Sequence, residues 1–91
     1  MKYRIAIIGA GLIGKKRAAA LKSFENCTLV LTVDISRVRA EELAREYGGV
    51  AATDWKEAVK RDDIDIVIVS TVNNALAPIC KAALMRGKHV L

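Results

Sequence analysis

Proline and histidine each occur once in the 91 residues, cysteine twice, and aromatic side chains make up 4%. So little proline excludes collagen-like and proline-rich chains. Cys27 and Cys80 fall on different predicted elements, no CxxC pair is present, and His89 is the single histidine. Zinc sites need three or four ligands, so metal binding and thiol catalysis are not expected, and the cysteines read as reduced, buried or half-buried thiols. No apolar run exceeds four residues, as in Ile66 to Val69, whereas a membrane-spanning helix takes about 20. The basic start Met1-Lys2-Tyr3-Arg4 leads into an apolar run, Ile5 to Ile8, that stops at glycine and is followed by Lys15-Lys16-Arg17. No signal-peptide core tolerates that, and a cytoplasmic protein is expected. Asn26-Cys27-Thr28 matches a glycosylation triplet but carries no weight without a secretory leader.

The four aromatics, Tyr3, Phe24, Tyr47 and Trp55, are scattered at core-like positions. Single-strand binders interleave aromatics with basic residues, so the net charge of +5 does not argue for nucleic acid. With 53% hydrophobic residues, folding should bury roughly 64% of the unfolded chain's surface, enough for one modest core. One domain over residues 1–91 is expected.

Arg4 to Ile8 reads as a strand buried on both faces. From Leu12 the period becomes helical, with Ile13, Ala20, Leu21 and Phe24 predicted on the inward face of a helix ending near Glu25-Asn26. Thr28 to Val33 is a second strand closed by Asp34. Ser36 offers an N-cap to a second helix with Ala40, Leu43, Ala44 and Tyr47 inward, ended by Gly48-Gly49. Val50 to Thr53 is a short strand. Asp54 with Glu57 forms a capping-box pattern ahead of a short helix carrying Trp55, Ala58 and Val59 inward. Ile64 to Thr71 has the most continuous buried-strand signal. Asn73-Asn74 and Pro78 mark a turn into a helix with Leu76, Ile79, Cys80 and Ala83 on its apolar face, and Pro is tolerated in a first turn. Arg86-Gly87-Lys88 stops it, and His89-Val90-Leu91 begins a fifth strand.

Alternating strands and helices imply parallel strands with right-handed crossovers. The expectation is an α/β, doubly wound parallel sheet of order 3-2-1-4-5, truncated in its fifth strand. Such an unpaired edge predicts lowered stability and self-association, a homo-oligomer included.

Gly9-Ala10-Gly11-Leu12-Ile13-Gly14 is GxGxxG at a strand-to-helix junction. The first glycine permits the tight turn, the second admits a pyrophosphate to the backbone, and the third lets helix and strand pack closely. Amides at the helix start, including those around Leu12 and Ile13, bind phosphate. Asp34 closes the second strand twenty residues after Gly14, where a carboxylate accepts hydrogen bonds from adenosine ribose hydroxyls. The pattern points to dinucleotide binding. Asp34 should repel a 2′-phosphate, favouring NAD over NADP, while Arg37, three residues on, could serve a 2′-phosphate and keeps NADP as the alternative.

Lys15, Lys16 and Arg17 fall in the first turn of the first helix, where cations are unfavourable by roughly 0.3–1 kcal/mol each. Either they screen cofactor phosphates or they form a solvated basic face. Ser70-Thr71-Val72-Asn73 ends the fourth strand beside the first, bordering the crevice at the topological switch point. Those polar groups suit either cofactor ribose and phosphate or strand-end capping. His89 has no candidate partner and reads as structural.

Together, Gly9 to Gly14, Asp34, Ser70-Thr71-Val72-Asn73 and Gly87-Lys88-His89-Val90-Leu91 make the chain resemble the N-terminal Rossmann domain of the Gfo/Idh/MocA oxidoreductases, the glucose–fructose oxidoreductase and inositol dehydrogenase family. The resemblance spans essentially all 91 residues. Val72 stands where the family usually has proline, and Leu76 where histidine is common. It implies NAD(P)-dependent hydride transfer to or from a sugar, cyclitol or related polyol. It also implies cofactor contacts at Gly9, Gly11, Gly14, Asp34, Ser70, Thr71 and Asn73. The family's catalytic lysine belongs to a Glu-Lys-Pro motif following the fifth strand, and substrate residues belong to a further α/β domain. The sequence stops short of that motif, so no catalytic residue is assigned, and a stand-alone dinucleotide-binding regulatory module is the alternative.

Overall fold

The structure, a computed structural model, describes residues 2–71 and 76–91, with the side chain of Leu76 excepted. Val72, Asn73 and Asn74 lie outside the described residues. The elements are β1 (Tyr3–Ile8), α1 (Leu12–Leu21), β2 (Cys27–Val33), α2 (Arg37–Tyr47), β3 (Val50–Ala52), α3 (Trp55–Lys60), β4 (Ile66–Val69), α4 (Leu76–Met85) and β5 (His89–Val90). The five strands form one sheet in the order β3-β2-β1-β4-β5, and every pairing is parallel. This is the expected doubly wound order.

Continuous apolar strands give the sheet two buried faces. Ile5 and Ile7 face one side, packed with Ala18 of α1 and Leu43 of α2. Ala6 and Ile8 face the other, packed with Ala58 and Val59 of α3 and Ile79 and Ala83 of α4. The chain thus winds one way through α1 and α2 and the other way through α3 and α4. Reversal happens between β1 and β4, which opens a crevice at the strands' C-terminal ends.

A strand of strict alternation would put Leu29, Leu31 and Val33 on one face. Instead Ile5 pairs with Leu29 and Ala6 with Leu31, so Val30 is an extra, bulged residue. The bulge turns Leu29 toward the α1/α2 side and leaves Leu31 and Val33 on the α3/α4 side. It lets one strand serve both cores.

The helices differ in which residues they turn toward the sheet. In α2, Ala40 and Leu43 are fully buried, and the Ser36 hydroxyl caps the helix by accepting from the Arg39 amide at 3.4 Å. Thr32 of β2 is buried too, and its hydroxyl donates to the Ala40 carbonyl at 3.1 Å, tying α2 to the sheet. At α3 the Asp54 carboxylate accepts from the Lys56 amide at 3.0 Å. The cap is therefore made two residues on, and among the described residues no return bond from the Glu57 side chain completes a capping box.

The predicted face of α1 is corrected. Its buried residues are Gly14 and Ala18, Leu21 is partly buried, and Ile13 and Phe24 are exposed by half or more. The helix ends at Leu21 and is capped by Lys22, leaving Phe24 in the following turn. Close contact between α1 and the preceding loop demands small residues inward, and a count of large apolar residues selects the wrong face.

The far end of the sheet is held by Lys88, buried to 8% exposure just ahead of β5. Its ammonium donates to the carbonyls of Arg61 at 2.5 Å and Ile64 at 2.8 Å. Burial pushes its pKa down, and Asp62, Asp63 and Asp65 oppose that shift. Charge-assisted bonds to two carbonyls offset part of that desolvation. Lys88→Ala is expected to cost about 2 kcal/mol of unfolding free energy in urea titrations. A loss below about 0.5 kcal/mol would mean that water replaces the ammonium without penalty.

Candidate dinucleotide-binding site

The loop between β1 and α1 is shaped by what its glycines touch. Gly9 adopts φ +104, and a side-chain carbon there would lie 2.7 Å from the Ser70 carbonyl carbon. Only glycine meets both conditions. A methyl group on Gly14 would lie 1.9 Å from the Gly9 carbonyl oxygen, and its absence lets α1 sit directly on the loop. Gly11 is different: its φ is −78, and an added carbon would meet nothing within 4 Å. The folded chain itself does not require glycine at position 11.

The loop is tied to β2 at two points. Gly9 donates its amide to the Val33 carbonyl at 2.7 Å, and Ala10 donates its amide to Asp34 Oδ2 at 2.8 Å. The other oxygen, Asp34 Oδ1, accepts from the Ser36 amide at 2.8 Å. On the opposite side Ser70 donates its amide to the Ile8 carbonyl at 2.7 Å, carrying the end of β4 to the end of β1.

These strand ends surround a cleft of about 740 Å3. Gly9, Gly11, Leu12 and Ile13 form its floor, Ser70 and Thr71 one wall, and Asp34 and Ile35 the other, with Arg39, Thr53 and Trp55 beyond. The first-turn amides of α1 have no intrahelical acceptor, and no side chain caps them. The Ser70 and Thr71 hydroxyls are buried and find no hydrogen-bond partner among the described residues. Unsatisfied hydroxyls on a cleft wall, free amides on its floor and a glycine open to space suit a ligand rich in phosphate and hydroxyl groups.

The cleft therefore gathers Gly9, Gly11, Leu12, Ile13, Asp34, Ser70 and Thr71. Gly14 is buried behind it as a packing residue. Asn73 is outside the described residues. Arg37 is exposed and lies outside the cleft lining, which includes Arg39 instead. Residues two apart on a helix project about 200° from each other, so the two arginines cannot share a direction. Lys15, Lys16 and Arg17 are exposed, and none lines the cleft. Lys15 instead borders a shallow depression with Glu42, Arg45 and Glu46.

Sequence reading missed Arg39, Thr53 and Trp55 as lining residues. Trp55 was expected inward; it packs against the α3/α4 core and also reaches the cleft. The available signal was positional, since Thr53 and Trp55 follow β3 at the same edge of the sheet as Asp34. His89 is exposed in β5, away from this edge, and among the described residues no cluster of three metal-ligating side chains exists. No helix among them is long and apolar enough to cross a membrane.

Residues 3–91 match the family model described as an oxidoreductase family with an NAD-binding Rossmann fold. The chain is 38% identical over 88 residues to 4-carboxy-2-hydroxymuconate-6-semialdehyde dehydrogenase of Sphingobium sp. (strain NBRC 103272 / SYK-6), covering 96% of this chain and 28% of that protein. It superimposes on a myo-inositol dehydrogenase from Corynebacterium glutamicum ATCC 13032 with a TM-score of 0.92 and 30% identity, over 99% of this chain and 27% of that one. A levoglucosan dehydrogenase in complex with NADH gives a TM-score of 0.89 and 27% identity, over 99% and 27% of the two chains. The chain thus spans less than a third of the length of these relatives. It belongs to the Gfo/Idh/MocA oxidoreductase family, in that family's NAD-binding Rossmann fold.

Proposed function

We propose that the chain is the cofactor-binding domain of an oxidoreductase acting on a sugar, cyclitol or related polyol. The observation that carries this reading is the cleft at the sheet's reversal point, where the glycine loop, Asp34 and the unsatisfied hydroxyls of Ser70 and Thr71 converge. The relatives' inositol and levoglucosan activities supply the substrate class. Residues 1–91 are one domain of a longer, two-domain cytoplasmic enzyme under this proposal, with substrate contacts and catalysis outside the segment.

Within the cleft, Gly9, Gly11 and the first-turn amides at Leu12 and Ile13 would hold the pyrophosphate. Asp34 would accept from the adenosine ribose hydroxyls. Ile35, 96% exposed at the rim, and Trp55 offer apolar surface for a purine on the β3 side of Asp34. Ser70 and Thr71 face the other half of the ligand, and Asn73 belongs with them from the sequence pattern. When bound, a nicotinamide cofactor supplies or accepts a hydride; these residues bind and orient it.

The Asp34 carboxylate makes NAD the preferred ligand and NADP the weaker alternative, because a 2′-phosphate beside it meets like charge. Calorimetric titration at fixed salt should show saturable binding of NAD, at least about tenfold tighter than NADP. Binding of neither dinucleotide to a demonstrably folded chain would refute the proposal, and a preference for NADP would refute the role given to Asp34.

A further inference from the structure

Asp34 does more in this fold than wait for a ribose. Its two oxygens already accept backbone amides from two different segments, Ala10 in the glycine loop and Ser36 at the start of α2, each at 2.8 Å. Ala10 is completely buried. Without the carboxylate its amide would lose its one protein acceptor, and the loop would have to move or take cleft water in its place. The neighbouring Gly9 is fixed to the same strand end by its bond to Val33, so the Ala10 to Asp34 bond is the second of two anchors that set where the loop's amides point.

We propose that Asp34 is the positioning residue of the glycine loop, a latch that holds the phosphate-binding backbone in shape whether or not a ribose is present. An ionised carboxylate offers about four acceptor positions, and the two amides take two of them. The remaining two can accept ribose hydroxyls without opening the latch. Loop order and ribose recognition are then coupled through one side chain. A small residue at position 34, introduced to admit a 2′-phosphate, would lose phosphate affinity along with its discrimination.

This deepens the cofactor reading for its ligand-binding half and rests on it; the latch itself is tested without ligand. In amide hydrogen exchange on the full 91-residue chain, the Ala10 amide is expected to be protected. In Asp34→Asn, which keeps the volume but leaves one accepting oxygen, and in Asp34→Ala, exchange at Ala10 or Ser36 should accelerate at least about tenfold. The Lys88 amide, bonded to Ala83 at the other end of the sheet, should be unchanged. An unprotected Ala10 amide in the parent chain overturns the latch even if a variant fails to fold.

Ligand titrations then separate latching from reading. ADP and 2′,3′-dideoxyadenosine 5′-diphosphate share the phosphates and differ in the hydroxyls. The latch predicts that Asp34→Ala weakens both, the dideoxy compound by about tenfold. Equal affinity of parent and variant for the dideoxy compound would overturn it and leave Asp34 as a ribose reader alone. If the parent binds neither ADP nor NAD, the cofactor reading fails, and the exchange result alone decides the latch.

Discussion

Gly14→Ala is expected to cost more than about 3 kcal/mol, against a total stability of about 5–15 kcal/mol for a domain of this kind. Helix propensity taken alone predicts the opposite, since alanine is favoured over glycine inside a helix by about 1 kcal/mol. Sterics reverse the sign, because the added methyl would lie 1.9 Å from the Gly9 carbonyl oxygen. The loop cannot retreat: Gly9 is bonded to Val33 and already lies against the Ser70 backbone. The helix must lift away instead, exposing Ala18 and opening the packing beneath Leu43. At roughly 4–8 °C per kcal/mol for a chain of this size, the midpoint of thermal unfolding followed by circular dichroism should fall by at least about 12 °C. A midpoint within a few degrees of the parent would show that the α1 contact is looser than described.

Gly11→Val should behave in the opposite way, folded and unable to bind. At φ −78 and ψ −159 the backbone of Gly11 is open to any residue, and no atom lies within 4 Å of the added carbon. The thermal midpoint should stay within about 4 °C, which corresponds to less than 1 kcal/mol. A branched side chain would nevertheless stand on the cleft floor where a pyrophosphate must approach the backbone. Affinity for NAD should fall by about 100-fold or more, equivalent to roughly 2.8 kcal/mol. Unchanged affinity would place the phosphates somewhere other than over this loop. Two glycines of one motif are thus separated by experiment: one serves the fold, the other the ligand.

The strand order and the glycine loop were readable because each rests on local chemistry. Apolar strands alternating with helices allow few topologies, and GxGxxG followed by Asp34 puts turn, helix start and acid at fixed spacings. What escaped reading is non-local. The α1 face is set by the Gly9 carbonyl, so Gly14 and Ala18 face inward although larger apolar residues stand beside them in sequence. The Val30 bulge is visible only against its partner strand β1. Arg39 and Arg37 are equivalent as residue types, and helix phase alone separates them. Trp55 has periodicity appropriate to a core residue and reaches the cleft because α3 follows β3 at its rim. Lys88 could not be identified as buried, since its partners are the carbonyls of Arg61 and Ile64 more than twenty residues earlier.

The location of the dinucleotide can be read residue by residue by nuclear magnetic resonance of the isotopically labelled chain during titration with NAD, following each backbone amide. The largest shifts should fall on Gly9 to Gly14, Asp34 to Ser36, Ser70 and Thr71, while Lys88 and His89 at the other edge of the sheet stay still. Shifts concentrated on the basic face at Lys15 to Arg17 with a silent glycine loop would contradict it.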